Sequence, residues 1–378
     1  MLCEVDMSLF DIDNVQTTPI KSTDWKWSFS DYPQEKNGLT VFSCFACGGG
    51  STMGYKLAGC DVIGDLEIDP KMNEVYVKNH KPKYNYCMDI REFNELDNLP
   101  KELYSLDILD GSPPCSPFAM SGDREDSWGK RKKFREGQSE QVLDDLPFVF
   151  IETVKKLNPK TVIMENVEGI TAGTAYKYVL KIYQKFSEIG YRVKHWLVRG
   201  ECMGVPQKRH RVIFFAVRDD VKFDLETISM NFNYLPVVYD EIRSGERRGV
   251  SDKMMQILNE AKPDEYDCVG AWNRIYNNGG TKRMYFNHIL IHDDDVFPTV
   301  SGGHNCLFDY KHKSAVSAMD IIHAQTFPED FDFVSNNFGN INYICGMSVP
   351  PLMMKRVVDR LIESGVYNYA KNRENEQS

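Results

Sequence analysis

The stretch LTVFSCFACGGGSTMG, residues 39–54, decides the fold. Its first half is a short apolar run with β-branched and aromatic residues, the composition of a buried strand. Its second half is a glycine-rich turn leading into a helix-compatible segment, where backbone can approach a ligand closely and a helix N-terminus favours negative charge. Outward from it the texture repeats. CDVIGDLEI (60–68) reads as a second strand with helical spacing near 70–79 behind it, YNYCMDI (84–90) as a third, and SLDILDGS (105–112) as a fourth. Helical spacing follows over 140–157, then TVIMENV (161–167) as a fifth strand and a helix over 176–189. RVKHWLV (192–198) and RVIFFAVR (211–218) are two strands close enough to pair. Strands alternating with helices of this length predict an α/β fold: an open, mostly parallel sheet covered on both faces. Ligands in such sheets bind at the carboxyl ends of the strands, so the loops there are the places to search.

Composition narrows the class without naming it. The chain has 378 residues, 42% hydrophobic and 26% charged, an ordinary globular balance. No apolar run approaches the roughly 18 residues of a membrane span. The acidic start MLCEVDMSLFDIDNV lacks the order of a signal peptide, and the expected location is the cytoplasm. Ten cysteines in that compartment read as thiols, and the one C-x-x-C, Cys44 to Cys47, has no second pair at metal-ligand spacing, so no metal is expected. The net charge of −10 argues mildly against a nucleic-acid partner, but local patches decide that question. Basic clusters stand at Arg131–Lys133 with Arg135, at Arg243 with Arg247 and Arg248, and at Lys282–Arg283; each alone is more often solvated surface.

Three features suggest an adenosine-containing cofactor: the glycine turn, Glu67 at the end of the second strand, where a carboxylate accepts from ribose hydroxyls, and Asp89 at the end of the third. The next loop, GSPPCSPFAMSG (111–122), presents Cys115 on a stiff turn between prolines. A single cysteine is more often packing than catalysis, and a reactive one needs a lowered pKa. MENVEG (164–169) then places Glu165 and Asn166 at the end of the neighbouring strand, where a carboxyl group near a nucleophile could bind and protonate a ring nitrogen. QKRHR (207–211) sets Gln207, Arg209 and Arg211 in alternation, on one face of a strand. By itself that alternation reads as a solvated strand face.

Taken in order, FACGGGSTMG, Glu67, Asp89, Pro-Pro-Cys, Glu-Asn-Val and Gln-x-Arg-x-Arg resemble the cytosine-5 DNA methyltransferase family. The similarity spans about residues 39–218 and resumes over FPTVSGG (297–303), AQTFPEDF (324–331) and ICGMSVPP (344–351). The resemblance implies a Rossmann-like methyltransferase sheet with a smaller, loop-rich target-recognition domain. The expected units are an irregular lead-in (1–37), a catalytic and cofactor-binding domain (38–220), the target-recognition domain (221–296), a return segment completing the catalytic domain (297–366) and a polar tail (367–378). It implies S-adenosylmethionine as methyl donor and double-stranded DNA as substrate, with the target cytosine flipped from the stack. Cys115 would attack C6, Glu165 would hold N3 and the amino group, and Arg209 and Arg211 would steady the pyrimidine oxygen and the catalytic loop. Phe45, Gly49, Gly50, Glu67, Ile68, Asp89, Ile90, Pro113 and Ser348 would hold the cofactor. Ser116, Arg131, Lys132, Lys133, Gln207, Lys282 and Arg283 would meet DNA. A monomer suffices for one flipped base, and a cognate restriction endonuclease acting separately fits the family.

The chain departs from the family pattern in places. Ser116 stands where glutamine is usual, Cys47 replaces the first glycine of the turn and so requires an ordinary backbone angle there, and Met347 replaces an asparagine. SAVSAMD (314–320) lacks the usual arginine and carries Asp320 in place of glutamate. Met347 leaves open a sulfonium donor bearing something other than methyl. A tRNA cytosine-5 methyltransferase is the nearest alternative, although its Cys-Phe-Thr signature is missing, and a catalytically silent DNA-binding relative is another.

Overall fold

The computed structural model describes residues 19–114, 145–303 and 306–368. Cys115, Ser116 and Arg131–Lys133 lie outside the described residues. Seven strands form the main sheet: β1 (Thr40–Cys44), β2 (Asp61–Glu67), β3 (Tyr84–Cys87), β4 (Ile108–Gly111), β5 (Thr161–Val167), β6 (Tyr191–Arg199) and β7 (His210–Arg218). Their order is β3-β2-β1-β4-β5-β7-β6, with β7 antiparallel to both its neighbours and every other pair parallel. The chain runs outward from β1 to β3 and then restarts at β4 on the other side. The order therefore reverses between β1 and β4, and a crevice opens above their carboxyl ends.

The apolar strands are continuous because both faces of the sheet are buried. Phe42, Leu109, Val162 and Phe214 point to one face, where they pack with α3 (Ile90–Glu95), α4 (Leu146–Leu157) and α5 (Tyr176–Glu188). Their chain neighbours Val41, Ile108, Ile163 and Ile213 point to the other, against α1 (Gly50–Leu57) and the C-terminal α11 (Pro351–Glu363). Local signals set the helix boundaries. Asp69 caps α2 (Pro70–His80), accepting the Lys71 amide at 2.9 Å ahead of a first-turn proline, and Asn158 closes α4 in the left-handed conformation.

Beyond β7 the region expected to be rich in loops is ordered by three helices, α6 (Tyr239–Ile242), α7 (Asp252–Glu260) and α8 (Val269–Tyr276), with β8 (His288–Ile291). β8 pairs with β9 (Cys306–Asp309), which pairs with β10 (Ser314–Ala315), so the small sheet takes strands from both sides of residue 297. A lone strand leaves its backbone donors unpaired, and β9 supplies the missing ladder. Apolar residues at helical spacing run over 314–324, but the helix α9 (Ala318–Ala324) begins only at Ala318. Ser317 and Asp320 cap each other's backbone there, and that capping box starts the helix. α10 (Phe338–Met347), begun by Asn337, was not anticipated as a helix. The lead-in is irregular but docked: Trp27 is buried, and its indole N–H donates to the Thr326 carbonyl at 2.8 Å. No described helix is long and apolar enough to cross a membrane.

Gly54 shows how tightly the C-terminal helix returns onto α1. A Cβ there would stand 2.5 Å from Met354 Cβ and 2.6 Å from the Pro351 carbonyl oxygen. In an exposed helix Gly→Ala gains about 1 kcal/mol, but here the collision reverses the sign. Gly54→Ala is expected to lose about 1–3 kcal/mol, read from the urea midpoint at unchanged slope.

Candidate active site

The turn after β1 is held in a strained shape. Phe45, Cys47 and Gly49 all have positive φ, at 56°, 49° and 86°. The expectation of an ordinary angle at Cys47 is therefore wrong. An L-residue in this region costs about 1–2 kcal/mol, and contacts on both sides of the turn hold it there. The Cys47 amide donates to Glu67 Oε2 at 2.8 Å, the Ala46 amide to the Leu66 carbonyl, and the Gly49 amide to the Ala46 carbonyl. Gly49 and Gly50 do not line the cleft. A Cβ on Gly49 would fall 2.0 Å from His80 Nε2, and one on Gly50 would fall 2.1 Å from the Val349 carbonyl oxygen. These glycines admit protein rather than cofactor.

The cleft itself opens beside that turn. Phe45, Ile68, Ile90 and Leu146 give it an apolar slot, and the carboxylates of Glu67, Asp69 and Asp89 stand along it. Tyr343 and Met347 of α10 close the far side, and Ser112 and Pro114 bring in the loop after β4. Glu67 accepts one amide on each oxygen, from Cys47 and Asp69, which leaves further lone pairs for a ligand's hydroxyls. Burial pushes its carboxyl up from the usual range, and those amides pull the other way. Asp89 caps α3, two residues beyond the end of β3 at Cys87, and accepts the Arg91 amide at 2.8 Å. Pro113 and Ser348 are adjacent but off the lining; Ser348 is buried beside Cys47. A flat aromatic base, ribose hydroxyls and a cationic sulfonium fit a slot of this chemistry.

Next to the cleft, Arg211 Nε meets Glu165 Oε1 at 2.7 Å, pairing a carboxylate at the end of β5 with a guanidinium at the start of β7. Asn166 Nδ2 donates to the Pro113 carbonyl at 3.2 Å, tying β5 to the Pro-Pro turn. The other two members of the alternating triplet act elsewhere. Gln207 is fully buried and precedes the strand. Its amide donates to the Ala324 carbonyl and to Gln325 Oε1, and its Oε1 accepts the Val300 amide. It has no face left for DNA. Arg209 is also buried, and it donates to the carbonyls of Val300 and Gly346. Lys282 and Arg283 are exposed in the small unit, where Asn273 holds the Lys282 backbone from both sides. A second cleft of about 1020 Å³ is lined by Lys253, Tyr285, His288, Asn337 and Asn340 among others, and Tyr343 borders both clefts. Tyr343, Met72 and Met88 went unread in the sequence because apolar residues in a helix or after a strand carry no mark of a ligand slot.

A family model for C-5 cytosine-specific DNA methylases matches residues 39–363. The chain belongs to that family. It is a DNA (cytosine-5)-methyltransferase and uses S-adenosylmethionine. The type II methyltransferase M1.HphI of Haemophilus parahaemolyticus is 24% identical over 355 residues, covering 89% of this chain and 90% of that protein. M.HindV of Haemophilus influenzae is 30% identical over 331 residues, covering 83% and 93%. Among solved structures, a DNMT2 variant of Spodoptera frugiperda aligns with a TM-score of 0.61 at 14% identity, over 86% of this chain and 99% of that one, a likeness of fold.

One buried group in this methyltransferase was not singled out by its sequence. Asp110 lies on β4 just below the loop that carries Ser112 and Pro114, accepting Ser43 Oγ at 2.6 Å and Tyr55 OH at 3.0 Å. Burial raises its pKa to about 7 against the pull of those two hydroxyls, and the nearby Glu165 charge adds to the rise. The folded state thus holds this proton more tightly than the unfolded chain, so stability is lost as pH climbs from the ordinary carboxylate range to about 7. Asp110→Asn keeps the shape, and either hydroxyl can reorient to accept from the new amide. Its stability relative to the native protein is expected to rise with pH from about 4 and to level off near 4 kcal/mol above about 7. Urea denaturation across that range checks the slope.

Proposed function

We propose that Cys115 is the nucleophile that opens cytosine to methylation, and that the Glu165–Arg211 pair is the group that holds the flipped base. The observation that carries this reading is the 2.7 Å ion pair at the β5–β7 end, placed against the Pro113 turn by Asn166. S-adenosylmethionine supplies a sulfonium-activated methyl group when bound. Glu67 and Asp89 would hold its adenosine at the polar edge, with Phe45, Ile68 and Ile90 against the base.

The chemistry then follows from what an aromatic pyrimidine resists. C5 of cytosine is a poor nucleophile, and addition of the Cys115 thiolate to C6 turns the ring into an enamine whose electrons reach C5. That addition places charge on the ring nitrogen. Glu165 meets it with a proton or hydrogen bond at N3 and accepts from the amino group. Arg211 fixes the Glu165 carboxylate in one orientation, so the hydrogen bond need not be organised during the reaction. Loss of the C5 proton and departure of the thiolate restore aromaticity. Arg209 enters this scheme as the residue that holds the backbone around Val300 and Gly346, since its two terminal nitrogens donate there. Asn166 ties β5 to Pro113, two residues before Cys115 in the chain.

The small unit supplies the DNA-reading surface in this proposal, through exposed Lys282 and Arg283, and Ser116 and the 131–133 cluster add further DNA contacts. Phosphate contacts from such residues fix register, and base-edge contacts give specificity. In this proposal the protein works as a monomer in the cell interior beside a separately acting restriction endonuclease, a pairing that relatives named type II methyltransferases support.

Purified protein incubated with double-stranded DNA and S-adenosylmethionine, followed by nucleoside mass spectrometry, tests the assignment. The native chain is expected to yield 5-methylcytosine and Cys115→Ala none; product from Cys115→Ala would remove Cys115 from the mechanism. Glu165→Gln keeps the shape but loses the charge facing Arg211. It is expected to lower kcat by about 10²–10⁴-fold, the usual weight of a positioned acid–base group.

A further inference from the structure

His80, the last residue of α2, is not among the residues that line the cofactor cleft, yet the glycine turn rests on it. Its ring is buried against Tyr76 at 4.6 Å between centroids, with Phe29 and Phe331 farther out. Nε2 lies 3.2 Å from the Gly48 carbonyl oxygen. A carbonyl can only accept, so the proton of the neutral ring sits on Nε2 and the buried Nδ1, which has no partner, is the bare nitrogen. Burial and the Lys56 ammonium push the imidazole down to about 3, which keeps it a neutral donor at working pH. Gly49 is the residue that permits this approach, because any side chain there would enter the ring.

The geometry points to His80 as a positioning residue for the cofactor: its Nε2–H fixes the Gly48 carbonyl, and through the one peptide unit between them it holds the Cys47 amide that orients the Glu67 carboxylate. The chain of contacts is continuous on the page. His80 holds Gly48 at 3.2 Å, and Cys47, the residue before it, donates to Glu67 Oε2 at 2.8 Å. On its other side the turn meets α10, where a Cβ on Gly48 would come 2.6 Å from Ile344 Cγ2. The turn is thus gripped between His80 and α10 in a conformation that Phe45 and Cys47 would not adopt unaided. Without the His80 donor, the strained turn has one less hydrogen bond holding it. The effect then reaches the ligand through Glu67 rather than through any contact of the imidazole. This inference rests on the assignment of the Glu67 cleft to S-adenosylmethionine.

The test uses the full chain, calorimetric titration with S-adenosylhomocysteine, and DNA methylation measured against donor concentration. His80→Phe keeps an aromatic ring without the donor, and His80→Gln restores an N–H at similar reach. His80→Phe is expected to weaken S-adenosylhomocysteine about five- to tenfold, the weight of one buried hydrogen bond, and to raise KM for the donor alike. kcat at saturating donor should stay within about twofold, and His80→Gln should recover most of the affinity. Combined with Glu67→Gln, His80→Phe should add little further loss, because both act through one carboxylate. Native affinity in His80→Phe would overturn the inference. So would equal weakening in His80→Phe and His80→Gln that tracks their loss of thermal stability, which marks a merely structural residue. If Glu67→Gln binds S-adenosylhomocysteine as the native protein does, the cleft assignment falls and this inference with it. If Glu67→Gln weakens binding and His80→Phe does not, only the inference falls. Should His80→Phe fail to fold, His80→Asn, whose amide stops short of Gly48, takes its place with the same expected loss.

Discussion

A guanidinium almost without access to water holds the catalytic unit together. Arg209 donates to carbonyls of Val300 and Gly346, two points on the segment that returns from the small unit. Beside it Gln207 binds Ala324, Gln325 and the Val300 amide, and Gln325 reaches on to the Ser348 carbonyl. Burying a cation is costly unless its donors are met, and desolvation pulls the Arg209 pKa well down. That cost is what makes the interaction selective. A rearrangement that withdrew either carbonyl would strand a buried charge, so α9, α10 and the Val300 backbone have one acceptable position relative to the start of β7. Arg211, two residues on, inherits that position and delivers it to Glu165.

The cofactor side depends on the same registration. Gly48, Gly50 and Gly54 each lie so close to the return segment that a methyl group would collide with Ile344, Val349 or Pro351. The turn after β1 and the helices α10 and α11 are therefore shaped against each other across about 300 residues of sequence, and neither is complete alone. This explains why the main sheet has both faces covered although α11 follows the small three-stranded sheet in the chain. It also explains the strain at Phe45 and Cys47. Residues held at positive φ persist only where surrounding contacts over-determine them, and here His80, Glu67 and α10 do so from three directions.

The doubly covered sheet was legible because its strands are short, apolar and spaced by helix-length segments, and Glu67, Glu165 and Arg211 were legible because each sits at a strand end beside the crevice. The alternation of Gln207, Arg209 and Arg211 was misleading for a physical reason. It carries the period of a strand, but β7 begins only at His210, so the first two side chains turn inward to carbonyls far away in sequence. Cys47 was misread because a residue type states a preference for backbone angle, and tertiary contacts worth more than about 1–2 kcal/mol override it. α10 was hidden for a related reason. It is buried on most sides, so FGNINYICGM shows no amphipathic stripe from which to read a helix. Asp110 gave no signal at all, since nothing local distinguishes a buried aspartate from the many exposed ones.

The charge of the chain sets the remaining constraint on a DNA-binding reading. A net charge of −10 repels a polyanion at long range, yet a Debye length of about 8 Å at physiological salt confines that repulsion to nearby charges. The acidic residues are not evenly spread: from Cys268 to His292 there is no Asp or Glu, while Arg274, Lys282 and Arg283 fall inside. Arg274 is neutralised by Glu260 and Glu265, and Arg243, in the other basic cluster of this unit, by Asp240, Asp293 and Asp309. These two arginines are therefore structural. Lys282 and Arg283 remain as exposed positive charge, with Lys253 over the rings of Tyr276 and Tyr285. At that range a phosphate meeting Lys282 and Arg283 responds to the charges around it rather than to the net charge of the chain. The sum over the sequence and the sign of the surface proposed to read DNA are thus independent quantities.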